Sequence, residues 1–148
     1  MSHSPTLVAQ APVLTSASGI LALLEEDSDE LKTHALGNLH AVVDEFWAEI
    51  ADARSLARIE SLSEDEAFAS RELAASIASK CFFHLEEYGD ALKFALGAGK
   101  YFDVSSKTEY VETLVSNCID KYIADRNVTD DGGEKQIDAR MEAIVERM

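Results

Sequence analysis

Hydrophobic side chains recur at steps of three and four along most of this chain, the spacing of helix faces rather than of strands. A first short group, Ile20, Leu21, Leu23 and Leu24, predicts a helix over about residues 16–25. The run EEDSDE then interrupts the pattern. Asp27 with Glu30 has capping-box spacing, and Ser28 is a rival cap. Either choice puts acidic groups where the next helix's free amides favour them. That second helix is the clearest element. Leu31, Ala35, Leu39, Val42, Phe46 and Ile50 define one side, widened by Leu36, Val43 and Trp47. An arc this broad predicts contact with more than one neighbour. Gly37 lies within it, costs roughly 1 kcal/mol against alanine, and predicts a kink or the close approach of another segment.

Leu56, Ile59 and Leu62 predict a modest third helix over residues 55–62. SEDEAFAS follows as a polar connection carrying one aromatic, Phe68, and Ser70 is placed to cap the next helix. Leu73, Ala74, Ile77, Ala78, Cys81, Phe82 and Leu85 then keep helical steps. The many alanines there predict backbones at close quarters. EEY marks a tight corner, after which Tyr88, Ala91 and Ala95 share a face broadened by Leu92 and Leu96. FDVSSK reads as a turn. Val111, Leu114, Val115, Cys118, Ile119 and Tyr122 form the inward face of the next helix, opposite Glu109, Glu112, Ser116 and Asp120. TDDGG reads as a loop, and Ile137, Met141, Ile144, Val145 and Met148 as a last apolar face. A stripe running to the terminal residue predicts a fragment of a longer chain. Residues 1–13 hold both prolines and read as a flexible lead-in; residues 14–148 read as the helical unit. The sum is an all-α chain of about six to eight helices.

Composition narrows the partners. Apolar residues make up 47%, enough for a core, while 28 acids against 13 bases give a net charge of -15. That charge repels phosphate backbones and anionic membrane surfaces, so neither nucleic acid nor membrane is an expected partner. Basic or mixed protein surfaces are favoured, although acidity is also an ordinary route to solubility. The two cysteines, Cys81 and Cys118, each sit in an apolar stripe and read as buried free thiols of a reducing compartment. No signal-peptide pattern and no run of 18 apolar residues is present, which predicts a cytoplasmic or nuclear protein.

Candidate chemistry is thin. Gly97-Ala98-Gly99-Lys100 invites comparison with a phosphate-binding loop, but the opening glycine's position holds Phe94 and the hydroxyl's position holds Tyr101. Gly97 and Gly99 read instead as helix-ending residues in a left-handed conformation, with Lys100 near the negative helix end. His3, His34, His40 and His84 lack zinc spacing. The acidic stretch DRNVTDDGGEKQ has Asp130 where a calcium loop needs glycine and Gln136 where it needs a bidentate glutamate. Glu45 and Glu49 are what any charged helix supplies. No cofactor, metal or catalytic residue is expected. An acidic hydrolase stands as a remote alternative.

Tyr88 three residues before Ala91, with Ala98 seven further on, resembles the second half of a tetratricopeptide helix pair; the upstream tryptophan-leucine-glycine frame is absent. A longer resemblance covers most of the chain, from about residue 13 to 123. VVDEFWAEI, SRELAA, ALGAG and YVETLV, in this order, resemble the amino-terminal region of the proteasome/cyclosome repeat scaffold family, in its branch of largest non-ATPase subunits of the 26S proteasome base. The resemblance implies stacked antiparallel helical hairpins, a solenoid segment like HEAT or tetratricopeptide arrays, without the family's repeat toroid. It implies a non-catalytic scaffold in ubiquitin-dependent degradation, in cytoplasm and nucleus, with other regulatory-particle subunits as partners. Phe46, Trp47, Phe82, Tyr88, Ala91, Leu92, Leu114 and Ile119 are the candidate structural residues. Glu25, Glu26, Asp27, Glu64, Asp65 and Glu66 are the candidate interaction groups, each of them otherwise a solvated cap or corner. A generic helical-repeat adaptor of another complex is the alternative.

Overall fold

Six α-helices and one short 3-10 turn make up the part of the chain, residues 16–130, that the computed structural model describes. They are α1 (Ser18–Leu23), α2 (Asp29–Ile50), α3 (Ala53–Glu64), α4 (Arg71–His84), α5 (Tyr88–Leu96), the 3-10 turn Gly99–Tyr101, and α6 (Glu109–Asp130). The lead-in and the last apolar face, Ile137 to Met148, lie outside the described residues.

Between the two cap candidates for α2, Ser28 holds the position: its Oγ accepts from the Leu31 amide at 3.3 Å. Asp29 and Glu30 follow in the first turn, where the helix dipole favours them. The kink expected at Gly37 is absent. A side chain at Gly37 would meet no heavy atom within 4 Å, so nothing approaches closely there. The helix bends instead at Phe46, whose φ of -110° and ψ of 20° leave the helical region. The buried stripe is Ala35, Leu36, Leu39, Val43 and Ile50, rotated from the expected one. Leu31 is 40% exposed, and Val42 and Phe46 are only half-buried.

Asp52 caps α3, accepting from the Arg54 amide at 3.3 Å, and Leu56, Ile59 and Leu62 turn inward as the spacing requires. α4 is the axis of the molecule. It packs against α2, α3 and α5. Every residue from Leu73 to Ser79 is buried, so this helix has no solvent stripe over two turns. A helix enclosed on all sides must be slim, and LAASIAS supplies alanines and serines where bulk would hold neighbours apart. Ser70 precedes α4 but does not cap it with its side chain; its Oγ meets Thr33 Oγ1 at 2.9 Å and ties α4 to α2.

The α4–α5 corner uses a left-handed Glu86 (φ 61°), and Leu85, expected inward, is 40% exposed because the helix has already ended. α5 ends at Leu96. Gly97 keeps a right-handed φ of -90°, contrary to expectation, while Gly99 takes +57°. A Cβ at Gly99 would also lie 2.5 Å from the Glu72 carboxylate, an exposed flexible side chain that can move aside, so it is the left-handed φ that favours glycine there. α6 buries Tyr110, Val111, Leu114 and Cys118; Thr129 and Asp130, expected in a loop, lie in that helix instead, and the rest of the expected loop lies outside the described residues.

Two apolar clusters result. One gathers α1 to α4 around Leu36, Leu39, Ile59 and Ile77; the other gathers α5 and α6 around Ala91, Leu92, Leu114 and Cys118. They meet along α4, where Ala74 and Ala78 serve the first and Ala75 the second. Phe82 and Tyr101 pack against both. The architecture is a stack of helix pairs, of the HEAT or tetratricopeptide solenoid kind.

Candidate interaction surface

Polar side chains in this molecule tie helix to helix. The innermost tie is Ser79, wholly buried on α4. Its Oγ donates to the Ala91 carbonyl of α5 at 2.6 Å and lies 2.6 Å from the Tyr110 hydroxyl of α6. Serine has one hydroxyl proton. With that proton on the Ala91 carbonyl, the Tyr110 O–H donates to Ser79. Three helices are thereby pinned by two short bonds inside an apolar cluster. Burial pushes the Tyr110 phenol up to about 12, against the opposing effect of the Ser79 bond. Burial alone pushes the Cys81 thiol up to about 12, leaving it a poor nucleophile.

A second tie lies nearer the surface. Asp44 on α2 accepts from Lys80 Nζ at 3.3 Å and pairs with His84 Nε2 at 3.0 Å, both on α4. The His84 ring stacks on Trp47 with centroids 5.3 Å apart and meets Phe83 edge-on at 5.2 Å. Partial burial pushes the Asp44 carboxyl up, but the His84 bond and the Lys80 charge outweigh it and hold the group below its ordinary value. His40, one turn before Asp44, is lowered chiefly by burial and then by the Lys80 charge, with Asp44 opposing. Its ring meets Tyr101 edge-on at 5.5 Å.

The ends of α1 are held in the same way. Glu49 near the end of α2 accepts from Ser16 Oγ at 2.7 Å and from the Ala17 amide at 3.2 Å. A carboxylate from another helix therefore serves the free amides at the start of α1. Arg58 Nε on α3 donates to the Leu24 carbonyl at 3.2 Å, just past the other end. Neither Glu49 nor Arg58 is marked by spacing alone, because the partner atoms are 32 or more positions away.

The candidate structural residues fall in four settings. Ala91, Leu92 and Leu114 are buried in the α5–α6 cluster, and Phe46, Trp47 and Phe82 are half-buried against the α1–α4 cluster. Phe82 stacks on Phe94 at 5.5 Å, and Tyr88, half-buried, lies 6.0 Å from Phe83. Ile119 is half-buried beside a groove. Phe94 is 5% exposed and belongs to the core, although its sequence position drew notice only as a missing glycine. Tyr110 was also legible: Tyr110, Leu114 and Cys118 stand at steps of four.

All six candidate interaction acids are exposed. Glu25 reaches Arg54 at 3.5 Å, and Asp65 Oδ1 accepts from the Ala67 amide at 2.9 Å, forming its own turn. Glu25, Glu26 and Asp27 follow α1, while Glu64 ends α3 and Asp65 and Glu66 follow it. Burial and then the Glu64 charge push the Glu60 carboxyl up, so that end of α3 concentrates negative charge.

The groove, about 650 Å³ and open along α6, is lined on its apolar side by Val104, Val111, Val115 and Ile119. Among the described residues no group of three or more His, Cys, Asp or Glu is placed to hold a metal ion. Gly97 to Lys100 end a helix and begin a 3-10 turn, and Lys100 Nζ lies 5.4 Å from the Tyr101 ring centroid. No described helix is long and apolar enough to cross a membrane.

This arrangement defines a helical packing module, a stack of helix pairs whose polar groups join its own elements. The chain belongs to the family described as the N-terminal domain of the 26S proteasome subunit RPN2, which matches residues 15–148. It is 47% identical over 137 residues to the 26S proteasome non-ATPase regulatory subunit 1 of Drosophila melanogaster, covering 91% of this chain and 13% of that protein. It is 49% identical over 140 residues to homolog A of that subunit from Arabidopsis thaliana, covering 93% and 14%. The 26S proteasome regulatory subunit RPN2 of Saccharomyces cerevisiae is 43% identical over 140 residues, covering 91% and 15%. The chain thus spans 13–15% of the length of these relatives.

Proposed function

We propose that this chain is a non-catalytic structural and protein-interaction segment of the proteasome regulatory particle, supporting assembly of the ubiquitin-dependent degradation machinery. Family membership over residues 15–148 carries the reading. The physical arrangement supports it: Asp44, Ser79 and Glu49 are engaged in holding helices to one another. Its partners are other regulatory-particle subunits, and its location is that of the particle, in cytoplasm and nucleus. The two acidic corners, Glu25 to Asp27 and Glu64 to Glu66, are the contact groups, suited to basic or mixed surfaces.

Crosslinking mass spectrometry of the full-length subunit in its assembled particle tests this. Crosslinks from residues 16–123 to neighbouring subunits are expected. Their absence, or capture of a different complex by the tagged subunit, overturns the reading. Reversing Glu64, Asp65 and Glu66 to lysine is expected to remove crosslinks at that corner while leaving the helical circular dichroism unchanged.

A further inference from the structure

Ser63 stands in the last turn of α3, and three acids follow it directly, Glu64, Asp65 and Glu66. Its side chain is half-buried, and its Oγ donates to the Glu60 carbonyl at 2.6 Å. α3 ends one residue later and the backbone at Asp65 is extended, so the hydroxyl sits where a helix frays most readily. Ser63 also lines a cavity of about 320 Å³ that it shares with Arg71, Glu72 and Gly99. Arg71 is exposed at the first position of α4, and among the described residues no ion pair engages its guanidinium.

We propose that Ser63 is a phosphorylation site for an acid-directed serine/threonine kinase, and that Arg71 receives the phosphate. Such a kinase pairs basic side chains around its substrate cleft with acids that follow the target hydroxyl. No other serine or threonine in the chain is followed by three acids; Ser61 has only Glu64 within that reach. The kinase transfers the γ-phosphoryl group of ATP. The bond from Ser63 Oγ to phosphorus forms and the bond from phosphorus to the β–γ bridging oxygen breaks. The hydroxyl proton passes to the kinase's catalytic base, and ADP leaves. The new group carries a charge of about -1.5 to -2 at neutral pH. It cannot settle on its own helix end, where the free carbonyls, Glu60 and Glu64 all repel it. Arg71 lines the same cavity, and a guanidinium can take two phosphate oxygens at once. A water takes about 30 Å³, so the cavity has room for the group. Glu72 stands at the Gly99 side of that cavity. The product is a charge-assisted tie between α3 and α4 that exists only after modification. This inference rests on the surroundings of Ser63 and not on the role proposed above for the acidic corner.

The test incubates the full 148-residue chain with ATP and purified casein kinase 2, an acid-directed kinase, and separately with protein kinase A, a base-directed one. Sites are mapped by mass spectrometry, and circular dichroism checks that each variant is helical. The phosphate is expected on Ser63. Ser63→Ala should take up almost none, and Glu66→Gln should slow the reaction by about tenfold or more, the scale of charge steering into a basic cleft. No phosphate on Ser63, modification of Ser61 in its place, or an equal rate from the base-directed kinase overturns the proposal. Arg71 is tested by phosphorus-31 NMR of the modified chain through the phosphate's second ionisation, near about pH 6. That proton is expected to leave at lower pH than in Arg71→Gln, because a bound guanidinium favours the dianion. Equal titrations overturn the assignment of Arg71.

Discussion

Two glycines show how little a residue's identity says until its surroundings are known. Gly37 is exposed in mid-helix with open space around it, so Gly37→Ala is expected to stabilise the protein by about 0.5–1 kcal/mol through a less floppy unfolded chain. Gly99→Ala is expected to destabilise it, because φ of +57° strains any residue with a Cβ. Urea midpoints of the two variants should move in opposite directions. The Ser79 tie gives a second residue-scale prediction. Ser79→Ala strands the buried Tyr110 hydroxyl and should cost about 1–3 kcal/mol; Tyr110→Phe leaves Ser79 still donating to Ala91 and should cost about 1 kcal/mol. The double variant should cost less than the sum, as a denaturation cycle would show. Neither serine nor tyrosine announced this pairing, since they are 31 positions apart and meet only after α4 and α6 have docked.

At the scale of elements, α4 departs most from its expected character. Its periodicity marks a helix and its alanines mark close packing, both of which hold. That it is buried all round was not legible, because alanine and serine are tolerated in water and in a core alike. The prediction belongs to that difference. Ala78→Leu, on a surface-facing alanine, would be nearly silent; at this wholly buried position it should cost about 1–3 kcal/mol or more by overpacking, read as a lower urea midpoint. The stripes of α2 and α6 are displaced for a related reason. An apolar arc wider than its neighbour leaves several rotations compatible with sequence, and docking selects one. Leu31 and Ile119 are the residues left at the edge of that choice.

For the molecule as a whole, acid is the informative variable. His40 has a lowered pKa in the fold, so the unfolded chain binds its proton first as pH falls. Its contribution is fully present above about 6.5 and is lost as pH falls through the folded value. Asp44 behaves alike at lower pH: its carboxyl is held below the ordinary value, so its contribution is lost as pH falls below about 3.8 and through the folded value. His40→Gln is therefore expected to flatten the decline in urea midpoint between pH 7.5 and 5.5, without altering the later loss assigned to Asp44. An unchanged profile would remove His40 from the account.

The sequence by itself determined the class of structure, most helix positions and the family, because periodicity, caps and long ordered strings are local properties of the chain. It also determined the buried thiols and the want of a phosphate loop. Tertiary structure alone decided which rotation α2 and α6 would take, that Ser79 would join three helices, and that Asp44 would meet Lys80 and His84. Those outcomes depend on atoms far apart in sequence competing for the same volume, and packing density rather than local pattern resolves that competition.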